Sequence, residues 1–424
     1  MSIVKALNQI QITESGVWNV STDPDPLISR GSSRQARKSV EPSNRLAFAK
    51  YLAASTFVHC GDAWGYLGRA MDSLARGDIH AAVHLTYYAE LRGALSLLAS
   101  EGIYIGNYSN FVLLDDGSLK WLNGDPTHTA VWKALDTWHE QSRAKKLISR
   151  ILRPVGTSLD EWIQGMPNQD IGYIISTLLE RMSMDLKSFS IDRSRRNVAS
   201  YMPTRLTITP TDADKANRII SQIWRALEPS ARGTFPILDQ LILKDILRTA
   251  YANHVLHSED DMESIDKLDP ARWRSWLHAV APPAAKQTAN LKDLEEIPTD
   301  PTLSQIFLSN HELSDPSDFI ESMLMRTTVL LRLATGSCHD LISESLLEKR
   351  NFLPWVNSLS YSRGLWQGEE GLNEDMLDLW IEVEELIEVL DEDVPTNTHS
   401  FLDLVGVHLR TLGQTERVVA WNFA

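Results

Sequence analysis

Asp78-Ile-His-Ala-Ala-Val-His-Leu-Thr-Tyr-Tyr-Ala-Glu-Leu-Arg-Gly-Ala-Leu-Ser-Leu-Leu-Ala-Ser-Glu-Gly-Ile103 decides the fold class, because its spacing is that of one long helix. Steps of about 100° per residue place Val83, Tyr87, Leu91, Leu95 and Leu98 on one ridge. Asp78 is an N-cap, since its carboxylate can accept a free backbone N–H of the first turn. Gly102 is suited to the left-handed position that ends a helix. A helix of this kind lies in a core or at a helical dimer interface.

Outward from this helix, the pattern stays helical. Ser43 can cap a helix to about Cys60, and a second is expected from Ala63 to Ala75. Asp116-Gly117, between short apolar runs, predicts a small β-hairpin rather than a sheet. Helix resumes over 127–146, with Trp132, Leu135 and Trp138 on one face. Ser158-Leu-Asp-Glu161 has the capping-box pattern, and a long amphipathic helix is expected over 169–189. The stretch from Arg193 to Arg205 is broken by Pro203. Further helices are expected at about 212–227, 238–257, 317–336, 339–350, 373–392 and 399–411, with another ended by Pro282-Pro283 and a linker over 283–302. No regular alternation of strands and helices supports an α/β fold. The expectation is an all-α protein: a multi-helix bundle with a small β-hairpin insertion and a second helical domain. Its divisions are an irregular arm over 1–42, a helical domain over 43–205 and a helical regulatory or partner-binding domain over 206–424.

A chain of 424 residues is long enough for two domains or one large one. Its 13 Trp argue for a well-packed interior. The formal net charge of −15 argues against a whole surface built for nucleic acid, though not against a local basic cleft. Cys60 and Cys338 lie far apart, which disfavours a disulfide framework or a Cys-based zinc site and fits a reducing compartment. No apolar run is long enough to cross a bilayer, and the N-terminus lacks an apolar signal core, so no membrane association and a cytoplasmic location are expected. Between Glu369 and Asp393 there are many carboxylates and no Lys or Arg, a solvated acidic helix face that can meet a protein partner. Phosphate-loop, dinucleotide-loop and nucleophile-elbow motifs are absent from the sequence.

Tyr87-Tyr88-Ala89-x-Leu91-x-x-Ala94-x-x-Leu97-Leu98-x-x-x-Gly102-Ile103 resembles the signature helix of the HEPN superfamily, with Arg92 at the position that is often His. The resemblance spans the signature helix alone and places a HEPN-like domain in the N-terminal half. It implies a helical bundle, a homodimer, and an RNA-directed role in toxin or antiviral systems, with no cofactor and no metal. Active members carry Arg, a polar residue and, a short interval later, His, brought together at a dimer cleft. Arg would stabilise charge on the phosphoryl oxygens and His would move protons; the RNA 2′-hydroxyl is the nucleophile.

Arg196-Asn197 matches the start of that motif, but Tyr201, Met202 and Pro203 fill the window for His. Tyr, with an unperturbed pKa of about 10, is the poorer base, although it can donate a hydrogen bond to phosphate. Alternatively, Arg196 and Tyr201 pin a loop before Pro203. Arg248-Thr-Ala-Tyr-Ala-Asn-His254 satisfies the spacing, but residues so placed on a regular helix diverge by about 120°, and an ordinary amphipathic helix accounts for them equally. His80 and His84 have the spacing of a metal pair, without a third ligand nearby, and also suit a pair of half-buried, hydrogen-bonded histidines. Ser337-Cys-His-Asp340 is contiguous, unlike a catalytic triad. Met323 with Met325, and Trp273 with Trp276, read as core. Lys145, Lys146, Arg150 and Arg153, with Arg193 and Arg195, are the candidate nucleic-acid-binding cations, or else cationic helix faces in water. The functional expectation is metal-independent RNA cleavage by Arg196 and Asn197 with Tyr201 or His254. Its alternative is a non-catalytic helical interaction or scaffold protein of a defence or regulatory complex.

Overall fold

The computed structural model describes residues 2–20, 44–166, 171–181, 186–201, 213–229, 235–258, 269–287, 291–295, 319–366, 377–392 and 395–424. Helix α1 (Ile3–Leu7) is followed by α2 (Arg45–Ala75) and α3 (Ile79–Ser100). The latter two are joined by Arg76, Gly77 and Asp78 and pack along each other as a hairpin. Strands β1 (Ile103–Ile105), β2 (Asn110–Leu113) and β3 (Leu119–Asn123) come next. After them run α4 (Thr127–His139), α5 (Ser142–Ile151), α6 (Leu159–Gly165), α7 (Ile171–Arg181) and α8 (Leu186–Tyr201). The remainder comprises α9 (Ala213–Ala226), α10 (Pro236–Ser258), α11 (Pro270–Val280), α12 (Lys292–Glu295), α13 (Phe319–Glu344), α14 (Leu353–Arg363), α15 (Leu377–Glu392), α16 (Thr398–Val405), α17 (Leu409–Leu412) and α18 (Arg417–Phe423). The architecture is all-α with one small antiparallel sheet.

Helix α3 behaves as its sequence demands. The Asp78 side chain accepts the Ala81 N–H, and Gly102 ends the helix at φ +80°. A Cβ at Gly102 would lie 3.0 Å from the Leu113 carbonyl oxygen, so glycine also admits the neighbouring strand. Val83, Tyr87, Leu91 and Leu98 are buried and Leu95 half-buried, all within the single chain. Their cover comes from α2 on one side, α13 on another, and α8 with α4 on a third. The burial of α3 therefore needs no second copy.

Several boundaries differ from expectation. The helices foreseen on either side of Cys60 are one, α2, capped by Asn44 through the Ala47 N–H; Ser43 lies outside the described residues. Gly61 does not interrupt it because Trp355 packs directly against that glycine. The Asp116-Gly117 hairpin is present, and β1 joins it to make a three-stranded sheet ordered β1-β2-β3, since Ile103–Ile105 can pair only with β2. The expected 127–146 helix divides at Glu140 and Gln141 into α4 and α5. Helix α8 runs through Arg193 to Tyr201; the break expected at Pro203 lies outside the described residues. The helices expected over 317–336 and 339–350 are the continuous α13, whose Cys338 and Leu341 stay in the core. The expected 399–411 helix divides into α16, a tight turn at Gly406–His408 and α17. Part of the N-terminal arm is ordered: α1 packs on α2, and Trp18 stacks on Phe57 at 5.4 Å between ring centroids. In the expected linker over 283–302 the described residues form a turn at Ala285–Gln287 and α12.

One hydrophobic core contains residues from both sides of the expected 205/206 boundary, with α13 seated on α2 and α3. Helix α15 buries Leu379, Trp380, Val383, Leu386 and Leu390 and turns acidic residues outward. Among the described residues no helix is long and apolar enough to cross a membrane.

Candidate functional site

The twin tyrosines of α3 lie beneath α8, and Arg196 of that helix is laid across them. Its guanidinium carbon is 4.9 Å from the Tyr87 ring centroid and 5.5 Å from that of Tyr88. Arg196 is 6% exposed, its Nε has no hydrogen-bond partner, and among the described residues it forms no ion pair. Burying a charge costs free energy unless it is compensated, and here the aromatic faces compensate in part.

Two histidines flank the guanidinium. His84, also on α3, has Nδ1 2.7 Å from the Ser200 hydroxyl of α8. Its ring lies 4.9 Å from that of Tyr88. His128, in the first turn of α4, has Nδ1 3.0 Å from the Tyr87 hydroxyl. Burial and the Arg196 charge lower the pKa of both imidazoles, with Arg193 adding to the effect at His128. Burial pushes the Tyr87 hydroxyl up, while Trp132 and Arg196 pull the other way. At neutral pH the group thus presents one fixed cation, two neutral imidazoles and the neutral Tyr87 hydroxyl. A cation and a neutral imidazole are the kinds of group that oxyanion stabilisation and proton transfer require.

The nearest carboxylates are committed elsewhere. Arg326 of α13 pairs with Glu90 at 3.4 Å and with Asp192. Burial and the adjacent Asp192 raise the Glu90 carboxyl well above its ordinary value, with Arg326 opposing them. This network leaves Arg196 without a counter-ion among the described residues, although acidic side chains lie one helical turn away on α3 and α8.

The other expected site residues scatter around this group. Asn197 is exposed, and Tyr201 is 74% exposed at the end of α8, on the side away from the tyrosine cluster. The structure therefore separates Arg196 from its expected partners on its own helix. Arg248 is exposed on α10, and His254 stacks on Trp276 of α11 at 6.5 Å; neither joins the Arg196 group. Arg193 donates to the His128 carbonyl and the Thr129 hydroxyl, fixing the start of α4. Arg195 covers the Phe319 ring at 4.0 Å. Arg150 pairs with Asp340 and Glu344, Lys145 is half-buried, and Lys146 and Arg153 are exposed.

His80 and His84 are both half-buried, as expected; His84 Nδ1 is bonded to Ser200, whereas His80 Nδ1 has no partner among the described residues. Among the described residues no group of three or more His, Cys, Asp or Glu side chains could hold a metal ion. Ser337, His339 and Asp340 diverge, toward Ala334, Asn422 and Arg150 respectively. Met323, Met325, Trp273 and Trp276 are core residues. His128 and Ser200 were not foreseen, because no motif marks them. Comparison of the chain with family models, with curated proteins and with solved structures gave no match.

Proposed function

We propose that this chain is a HEPN-like protein that acts on RNA as a metal-independent endoribonuclease, of the kind used in toxin or antiviral systems. One observation carries the reading: Arg196 is buried, with no carboxylate partner among the described residues, against the twin tyrosines of the signature-like helix and between two neutral histidines. His84 takes the proton-transfer role first expected of Tyr201 or His254. The RNA 2′-hydroxyl attacks the adjacent phosphorus and its proton passes to His84, while Arg196 stabilises charge on the non-bridging oxygens. The P–O5′ bond breaks, leaving a 2′,3′-cyclic phosphate and a 5′-hydroxyl that takes its proton from solvent. A homodimer belongs to this reading and is checked by light scattering of the purified chain.

The test is incubation of the purified chain with structured RNA in EDTA, beside Arg196→Ala and His84→Ala. Cleavage ending in cyclic phosphate, reduced at least a hundredfold in both variants, is expected. Absence of cleavage in a folded wild-type protein would refute catalysis.

A second reading is a non-catalytic helical interaction protein. It is favoured by the 6% exposure of Arg196 and by the outward placement of Asn197 and Tyr201. Lys146 and Arg153 would then hold RNA without cutting it, and the acidic face of α15 would meet a protein partner. Retarded but uncut RNA in a gel-shift assay supports this reading.

A further inference from the structure

A separate cavity of about 440 Å³ opens where the C-terminal end of α5 meets α13, and its size falls among small-molecule sites. Arg150, Arg153, Arg332, His339, Asp340 and Ser343 supply its polar lining, and Ile151 and Phe235 an apolar wall.

The cations here are unequal. Arg332, 3% exposed, is held by Asp239: its Nε donates to one carboxylate oxygen and its Nη2 to the other, both at 2.7 Å. Nη2 also donates to the Ile151 carbonyl at 2.7 Å. Those bonds leave Nη1 without an acceptor, on a side chain that lines the cavity. Space for it exists because residue 336 is glycine; a Cβ there would come within 2.7 Å of Nη1 and 2.9 Å of Ile151 Cβ. Arg153 is exposed at the rim and, among the described residues, has no ion pair; its Nη2 donates to the Gly156 carbonyl at a long 3.5 Å, and its backbone N–H donates to the same Asp239 at 2.7 Å, which fixes the turn that carries it. Arg150 is partly neutralised by Asp340 and Glu344.

His339 adds a neutral polar edge. Its Nε2 lies 2.9 Å from Asn422 Oδ1 and its ring stacks on Phe423, so Nε2–H donates and Nδ1 remains an acceptor. A cavity with one guanidinium nitrogen unpartnered among the described residues, one Arg at the rim held only by a long bond to a carbonyl, and an aromatic wall matches an anion attached to an apolar ring. Guanidinium groups recognise phosphate by paired N–H donors.

We infer that this cavity binds a small phosphorylated organic ligand of nucleoside monophosphate size, with the phosphate held between Arg153 and Arg332 Nη1 and the ring against Ile151 and Phe235. This inference is independent of the Arg196 reading and stands if RNA cleavage is absent.

The experiment is isothermal titration of the full chain with adenosine 5′-monophosphate and, separately, with inorganic phosphate. Two variants keep the Arg332–Asp239 pair intact: Arg153→Ala removes the rim cation, and Ser343→Phe fills the mouth without changing charge. Circular dichroism confirms that both remain folded. The nucleotide is expected to bind more tightly than phosphate, and at least tenfold more weakly in each variant. Equal affinity for the two probes would overturn the assignment of the apolar wall. No binding of either probe, or binding unchanged in both variants, would overturn the site.

Discussion

Arg196 and Arg332 are both at least nine-tenths buried, and they are built oppositely. Arg332 meets Asp239 through two nitrogens at 2.7 Å and stands over the Phe235 ring at 4.9 Å. Arg196 meets aromatic faces and, among the described residues, no carboxylate. The first arrangement neutralises its charge within the chain, through Nε and Nη2, and turns only the donor Nη1 to the cavity. The second leaves a positive charge that an incoming anion can complement. The comparison teaches that burial by itself says nothing about the role of an arginine, whereas the presence or absence of a fixed carboxylate does.

The largest effect that can break this contrast is Arg332→Ala. It leaves Asp239, 0% exposed, as a buried charge without its partner. Removing one member of such a pair costs about 3–5 kcal/mol, so the urea midpoint should fall sharply. A loss under about 1 kcal/mol would show that the pair is incidental and would erase the distinction. Arg196→Met comes next. It keeps the length and apolar stem while deleting the charge, and no carboxylate is orphaned. The loss should be about 0.5–2 kcal/mol, the range of the cation–π contact it removes. A cost equal to that of Arg332→Ala would mean that Arg196 is structural after all.

How much of this was legible beforehand follows from what each residue needs. Helix α3 was readable because its cap, its ridge and its terminating glycine are local signals that agree. The hairpin at Asp116-Gly117 was readable for the same reason; β1 was not, because three residues carry too little periodicity. The continuity of α2 and α13 was hidden, since the packing that carries each helix past Gly61 and Gly336 comes from residues distant in sequence. Arg196 stood out through its neighbour Asn197, yet Asn197 turned out to point away. The groups that do surround Arg196 come from elsewhere: His128 bonds Tyr87 across 41 residues and Ser200 bonds His84 across 116. Pairings at such separations leave no mark on spacing. Arg153 was likewise visible as a cation, but its sharing of Asp239 with Arg332 was not.

The histidines sharpen the comparison by pH. Burial lowers His339, beside the Arg332 cavity, to about 4; it also lowers His59, whose Nδ1 accepts from Arg92, to about 3. In the unfolded chain these imidazoles titrate near their ordinary value of about 6.5. Above that pH neither state is protonated and their effect is absent. As the pH falls below it, the unfolded state binds protons that the native state refuses, so stability declines until the native pKa is reached. Each such histidine contributes a slope of up to about 1.4 kcal/mol per pH unit. For His339 the window runs from about 6.5 down to about 4. His339→Gln should flatten the fall in urea midpoint across that window by one proton's worth. His84 and His128 are also lowered and act in the same direction, with windows that begin at the same upper edge. Glu90, raised by burial, opposes them by favouring the native state at low pH. The difference between wild type and His339→Gln isolates the one residue from that background; an unchanged slope would place its imidazole in free exchange with solvent.

The smallest effect tests the Arg196 side from outside. Asn197 and Tyr201 lie on the exposed face of α8, so Asn197→Ala and Tyr201→Phe should alter stability by no more than about 0.5 kcal/mol. Their value lies in what they do to RNA. With His84 as the base, cleavage in EDTA persists in both variants to within a few-fold, because neither side chain approaches the Arg196 guanidinium inside the chain. A dimer that assembles its cleft from the outward faces of two α8 helices behaves otherwise: Tyr201 would then contact phosphate from the partner, and Tyr201→Phe, which removes only the hydroxyl, would cut the rate by about tenfold or more, the scale of one lost hydrogen bond to a charged group. The single oxygen atom thus decides whether the reacting surface is the inner cluster under α8 or the outer face above it.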